Sequence, residues 1–196
     1  MPRKALIHRK TNETDIRMEL TLDGTGKSRI STPILFLNHM LENFTKHGGF
    51  DLVVKAKGDI KVDQHHTVED LGIVLGEAFK KALGNKRGLN RAGYFVFPMD
   101  EVLSVVAVDI SGRSYLNFDV NFVKEKIGDL ETDLIKEFFL GFSRTLQATT
   151  HVRMLYGEND HHKVESIFKG FSKAMKMACQ KDIKNGNDIP STKGII

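Results

Sequence analysis

The sequence predicts an α+β fold made of two similar halves, and three observations lead there. Strand-like and helix-like segments follow one another twice in the same broad order. A rare pentapeptide, His65-His66-Thr67-Val68-Glu69, returns 96 residues later as His161-His162-Lys163-Val164-Glu165, in a chain of 196 residues. Both copies follow a strand and an Asp, and both open an amphipathic helix. Two half-sized units ending in the same motif, residues 1–90 and 91–196, are the simplest organisation, with a tail closing the second.

Two short strands are expected around Ala5–Arg9 and Ile16–Leu22, ending at the turn Asp23-Gly24. Leu37, Met40, Leu41 and Phe44 recur at helical spacing, so a helix is expected over 35–47, closed by Gly48-Gly49. Leu52, Val54 and Ala56 alternate with polar residues, and Gly58-Asp59 reads as the turn of a hairpin whose second strand is Ile60–Val62. Asp63 can cap a helix from His65 to Leu83 whose buried stripe is Val68, Leu71, Val74, Leu75, Ala78, Phe79 and Ala82.

The second half repeats the grammar. Strands are expected near Ala92–Phe97, Val102–Ile110 and Ser114–Val120, separated by Pro98 and by the Ser111-Gly112-Arg113 turn. A helix follows over Thr132–Gln147, a strand over Thr150–Leu155, a loop at Gly157–Asp160 and a last helix from His161 to about Gln180. The segment 184–190 is polar and irregular.

With 40% hydrophobic and 28% charged residues, the composition is that of an ordinary globular protein. No apolar run is long enough for a membrane span, and Met1-Pro2-Arg3-Lys4 lacks the apolar core of a signal peptide. The single cysteine, Cys179, has no internal disulfide partner and sits in an apolar helical pattern, a core position. A cytoplasmic location is expected. The net charge of +4 suits nucleic acid or a phosphorylated metabolite, but the basic residues are scattered and the aromatics fall at core-like spacing, so one anion site on a solvated surface is the expectation.

The chemistry lies in the repeated motif. Residues i and i+4 share a helix face, so His65 and Glu69 can converge on one ion while His66 points elsewhere; His161, Glu165 and His162 repeat the pattern. A single copy would suit a capping cluster equally well. Two copies at matched positions point to metal. Imidazole and carboxylate without thiolate fit Mn²⁺, Fe²⁺ or Zn²⁺, and many such ligands favour a coordination number above four, hence Mn²⁺. His39 lies on a helix 26 residues before His65, and Glu137 lies 24 residues before His161; either can complete a shell. Arg91, Arg113, Ser191 and Lys193 are candidates for holding an anion.

Taken together, several motifs resemble the imidazoleglycerol-phosphate dehydratase family: Phe-Leu-Asn-His-Met-Leu within 32–41, Gly-Asp-x-x-Val-Asp-x-His-His-Thr-x-Glu-Asp at 58–70, Pro-Met-Asp-Glu at 98–101, Asp-x-Ser-Gly-Arg-x-Tyr-Leu at 109–116, Gly-Glu-Asn-Asp-His-His-x-x-Glu-x-x-Phe-Lys at 157–169, and Pro-Ser-Thr-Lys-Gly at 190–194. The resemblance runs from Arg9 to Gly194.

The resemblance implies a four-stranded sheet packed against helices in each half, a ribosomal protein S5 domain 2-like arrangement. It implies a homo-oligomer of 24 chains with active sites shared between neighbours, and two Mn²⁺ per site. It marks His39, His65, His66, Glu69, Glu137, His161, His162 and Glu165 as metal ligands, and Glu13, His66 and Glu165 as catalytic. Glu13 would stand beside the substrate, and His47, Arg91, Arg113, Ser191 and Lys193 would hold its phosphate. Asn38, Pro33 and Glu137 stand where many members have Asp, Gly and His; the last changes a ligand's type but not its ability to bind Mn²⁺.

The implied reaction is loss of water from D-erythro-imidazole-glycerol phosphate, giving imidazole-acetol phosphate in histidine biosynthesis. The partner is then a small phosphorylated imidazole, with no nucleic acid and no membrane. Two other classes stay open at this level. A two-metal phosphohydrolase would release phosphate, and a non-catalytic RNA-binding or metal-storing protein would be retained on nucleic acid in a salt-dependent way.

Overall fold

The computed structural model describes residues 3–182, 186, 188–194 and 196. The first half runs β1 (Lys4–Lys10), β2 (Thr14–Thr21), β3 (Ser28–Ser31), α1 (Leu35–Gly48), β4 (Asp51–Gly58) and α2 (His65–Leu83). Its four strands form one sheet in the order β1-β2-β4-β3, with β3 parallel to β4 and the other pairs antiparallel. The second half runs β5 (Ala92–Met99), β6 (Val102–Asp109), β7 (Tyr115–Asp119), then the small hairpin of β8 (Lys126–Ile127) and β9 (Leu130–Glu131), then α3 (Leu134–Leu146), β10 (Thr149–Tyr156) and α4 (Asp160–Cys179). Its sheet has the order β5-β6-β10-β7, again with the last pair parallel. Without the β8–β9 insertion, the two halves have one topology.

Alternation along each strand buries one face. In β2, Ile16, Met18 and Leu20 are fully buried between exposed Arg17 and Glu19. The helices fill the space behind these faces. α2 lies on the first sheet and packs against α3; α4 lies on the second sheet and packs against α1. A single apolar core results, with Phe44, Phe79, Phe139, Phe142 and Phe171 in edge-to-face and stacked contact across both halves. At the α2–α3 crossing the backbones nearly touch: a Cβ on Gly72 would stand 2.1 Å from the Phe138 carbonyl oxygen.

The predicted stripe of α2 is buried throughout, and Asp63 Oδ1 accepts from the His65 N–H at 2.8 Å as its expected cap. Gly49, at φ 73°, closes α1 in the left-handed conformation. Cys179 is buried, and burial pushes its thiol up to about 12.

Three expectations are corrected. Ile60–Val62 is a turn, with the Val62 N–H on the Asp59 carbonyl at 2.7 Å and its side chain 77% exposed. The reason is topological: β4 is paired on both edges, by β2 and β3, so no edge is left for a hairpin partner. Pro98 does not separate strands; it lies within β5 opposite Leu103, where an edge strand tolerates the missing N–H. The expected list also lacks β3, β8 and β9. Lys184, Asn185 and Asn187 of the expected irregular tail lie outside the described residues, while Ser191 and Gly194 close a turn through the Gly194 N–H on the Ser191 carbonyl at 3.0 Å.

The β8–β9 turn reaches across to the first half. Asp129 accepts from the N–H groups of Leu35 and Phe36 at 2.6 and 2.8 Å, capping a helix whose own N-cap residue, Ile34, supplies no side-chain bond. Gln64, just before His65, donates to the Asp129 carbonyl at 2.6 Å. No helix among the described residues is long and apolar enough to cross a membrane.

Candidate metal centre and anion pocket

The helical spacing acts as anticipated. His161 Nε2 lies 3.1 Å from Glu165 Oε2 across one turn of α4, and His65 Nε2 lies 3.9 Å from Glu69 Oε2 across one turn of α2. Because α1 packs on α4, His39 joins the former pair, with its Nε2 3.5 Å from Glu165 Oε2. His39, His161 and Glu165 thus offer three donor atoms, all within 4.8 Å of one another. Two imidazole nitrogens and a carboxylate oxygen this close suit one divalent ion of the Mn²⁺, Fe²⁺ or Zn²⁺ kind. Asn38 ties down the approach to His39: its Oδ1 accepts from the Thr32 N–H at 3.1 Å and its Nδ2 donates to the Thr32 carbonyl at 3.2 Å. An aspartate could make only the first of these bonds.

Glu165 is mostly buried. Burial alone would raise its pKa, but Lys169 Nζ at 2.5 Å from Oε1, with His161 and His39 on the other oxygen, holds the carboxyl below its usual range. Lys169 closes the motif at 157–169 but carried no expected role. It spans from Glu165 to the Phe97 ring, whose edge-on partner is His47. Burial, followed by the ammonium groups of Lys169 and Lys173, lowers the His47 pKa.

The second histidine of each motif leaves its partner. His66 Nδ1 lies 3.2 Å from both carboxylate oxygens of Asp59, and its Nε2 is 3.8 Å from Glu13 Oε1. Asp59, then Glu13, raise the His66 pKa. His162 Nδ1 lies 2.9 Å from Glu101 Oε2, and Asp100 stands 3.8 Å away. Glu101 also accepts from the Asn159 N–H at 2.8 Å; His162 first, and then that N–H, bring the Glu101 carboxyl down to about 2. Asp59 and Glu101 were both inside recognised motifs but carried no expected role.

Glu137 lies half-buried in the first turn of α3, and no cluster of three metal-capable side chains among the described residues includes it. Among the described residues of the same chain, His65 and Glu69 likewise have no third ligand.

Arg91, Arg113, Ser191 and Lys193 line one pocket of about 390 Å³. Arg91, at φ 70°, sends its fork onto Asp109 at 2.7 and 2.9 Å and its Nη1 to the Pro190 carbonyl at 2.7 Å. It therefore holds the tail against the second sheet, and Asp109 raises its pKa. Arg113 extends from the turn where Gly112 adopts φ 80°. His47 does not line this pocket.

Residues 32–175 match the family model of imidazoleglycerol-phosphate dehydratase. The chain is 53% identical over 194 residues to the imidazoleglycerol-phosphate dehydratase of Koribacter versatilis (strain Ellin345), covering 99% of this chain and 100% of that protein. It is 53% identical over 192 residues to that of Oceanobacillus iheyensis, with 98% of each covered. The crystal structure of the Staphylococcus aureus enzyme superposes with a TM-score of 0.82 at 39% identity, covering 91% of this chain and 99% of that one. The Pyrococcus furiosus enzyme in complex with (S)-C348 gives a TM-score of 0.82 at 40% identity, covering 97% and 100%.

Proposed function

The chain belongs to the imidazoleglycerol-phosphate dehydratase family of hydro-lyases, and from that premise we propose that it removes water from D-erythro-imidazole-glycerol phosphate, giving imidazole-acetol phosphate in histidine biosynthesis. The observation that carries the reading is the convergence of His39, His161 and Glu165 from helices of both halves. We assign two Mn²⁺ to each site, held by the two His-His-x-x-Glu motifs with His39 and Glu137. His66 and His162 stand apart from the first-named clusters, which supports a site completed by neighbouring copies in a homo-oligomer, 24 chains in the complete assembly. We place it in the cytoplasm, where its lone buried thiol stays reduced.

Metal at this site supplies charge stabilisation for the imidazole ring as a poorly acidic proton leaves, and a hold on the substrate's hydroxyls. The chain's residues do the rest. Glu13, exposed at the β1–β2 turn, is our candidate for carrying a proton to or from the substrate carbon. Its turn is fixed by the Thr11 hydroxyl, which accepts from the N–H groups of Glu13 and Thr14 at 3.1 and 2.9 Å, and by Arg9 and Thr14 bonded to Asp70 of α2. Arg113, Ser191 and Lys193 hold the phosphate, with Arg91 in support.

Incubation with Mn²⁺ and the imidazole diol phosphate tests the assignment. The expected product is a ketone that keeps its phosphate. Release of inorganic phosphate with no ketone would overturn the reading in favour of a phosphohydrolase.

Arg113→Ala and Lys193→Ala should raise KM by roughly tenfold or more while leaving kcat within a few-fold, since the loss of a charge-assisted bond is on the order of 1.5–3 kcal/mol. Steady-state kinetics at saturating Mn²⁺ decide it, and an unchanged KM in both variants removes the pocket from substrate binding.

Glu137 gives a sharper outcome. Glu137→His is expected to retain both ions, and Glu137→Ala to lose one through dialysis. Were Glu137 an ordinary helix acid, alanine would cost no more than about 0.5 kcal/mol of stability and no metal. Metal content of the purified alanine variant is the readout.

A further inference from the structure

The internal duplication makes the two hairpin turns comparable. The β1–β2 turn carries Glu13, and the β5–β6 turn carries Asp100 and Glu101; both turns lead into the same strand position of their sheets. Each turn places a glutamate at the second histidine of the motif in its own half. The contacts are not the same. Glu101 meets Nδ1 of His162 at 2.9 Å, whereas Glu13 approaches Nε2 of His66 at 3.8 Å. In the first half the Nδ1 position is already taken, by Asp59 at 3.2 Å. Asp59 comes from the end of β4, and its backbone N–H donates to the Glu13 carbonyl at 3.1 Å, so acid and histidine are held as one unit.

A carboxylate on one ring nitrogen fixes the imidazole's tautomer and orientation. It leaves the other nitrogen's lone pair for a metal and strengthens it as a donor. Resting on the function proposed above, we propose that Glu101 is a positioning residue that commits His162 to metal binding through Nε2, and that Asp59 does the same for His66, leaving Glu13 free for proton transfer. The duplication thus explains a division of labour between two glutamates at matched turns. One orients a ligand and the other faces the reacting atoms. Glu101 is anchored for this duty by the Asn159 N–H, at the cap of the helix that carries His162. Among the described residues, no backbone N–H donates to the Glu13 carboxylate in a comparable way.

The test measures Mn²⁺ affinity directly, from the free-ion paramagnetic resonance signal, in the whole protein and without reference to turnover. Glu101→Ala is expected to weaken binding by roughly 10–100-fold, the usual cost of losing a carboxylate behind a metal-bound histidine. His162→Ala weakens it further, and the double variant should be no weaker than His162→Ala alone, because Glu101 acts only through that ring. Glu13→Gln should leave Mn²⁺ affinity unchanged and lower kcat. Glu101→Gln keeps an acceptor oxygen and its bulk; it serves if the alanine variant does not fold, with the same ordering and a smaller factor. Equal Mn²⁺ affinity in wild type and Glu101→Ala, or an equal loss in the presence and absence of His162, overturns the positioning role. A wild-type protein that binds no Mn²⁺ overturns the metal-dependent reading itself, a separate result.

Discussion

Glu165→Ala is expected to lose one bound ion and to lower kcat by roughly 10²–10³-fold or more, the scale seen when a group that stabilises developing charge is removed. Glu165 is where the most interactions meet. Oε2 faces both His161 and His39, and Oε1 faces Lys169. Truncation leaves the Lys169 ammonium without its carboxylate and opens the only three-donor cluster that spans both halves among the described residues. Glu165→Gln keeps the volume and one acceptor but loses the charge, so its ion should be retained weakly and its activity should fall between the two. Metal analysis and turnover at saturating Mn²⁺ are the measurements, with a melt of the metal-free protein to separate folding from binding. Full metal content with wild-type turnover in the alanine variant would remove Glu165 from the site.

The largest effect on stability is expected at Gly72. Where α2 crosses α3, an added methyl would stand 2.1 Å from the Phe138 carbonyl oxygen and 2.9 Å from its carbon. Those atoms belong to a helix backbone and cannot rotate aside as a side chain would. Gly72→Ala must therefore separate two helices whose contact joins the halves, at a cost of about 3 kcal/mol, the upper range for overpacking. For a chain of this size, that lowers Tm by roughly 6–12 °C. A calorimetric scan checks it; an unchanged Tm would mean that the helices are not packed this closely.

How much of this was legible in the sequence depended on the distance between the residues concerned. The α2 boundaries and stripe were readable because they rest on local periodicity and on Asp63 two residues before His65. The pairing of His161 with Glu165 was readable for the same reason. Ile60–Val62 misled because its residue types suit a strand, while the sheet order that denies it a partner is set by β3, whose only apolar residue is Ile30. The site divided in the same way. His39 reaches Glu165 only once α1 lies on α4, and Glu101 reaches His162 across 61 residues of chain. Asp59 was equally hidden, since it reaches His66 only through the turn after β4; Lys169, four residues after Glu165 on α4, carried a local signal that the sequence reading did not use.

The Asp129 cap sets an order on synthesis. By the time Leu83 has emerged from the ribosome, every strand and helix of the first half is present, yet α1 still has no cap and Gln64 has no anchor. Both arrive with the β8–β9 hairpin, which at about 5–20 residues per second is made roughly 2–10 s later. Over that interval the helix start before His39 is without the Asp129 carboxylate that satisfies its first N–H groups, and the residue before the first motif is without its anchor. The two halves share one topology, but the β8–β9 hairpin makes the earlier half depend on the later one.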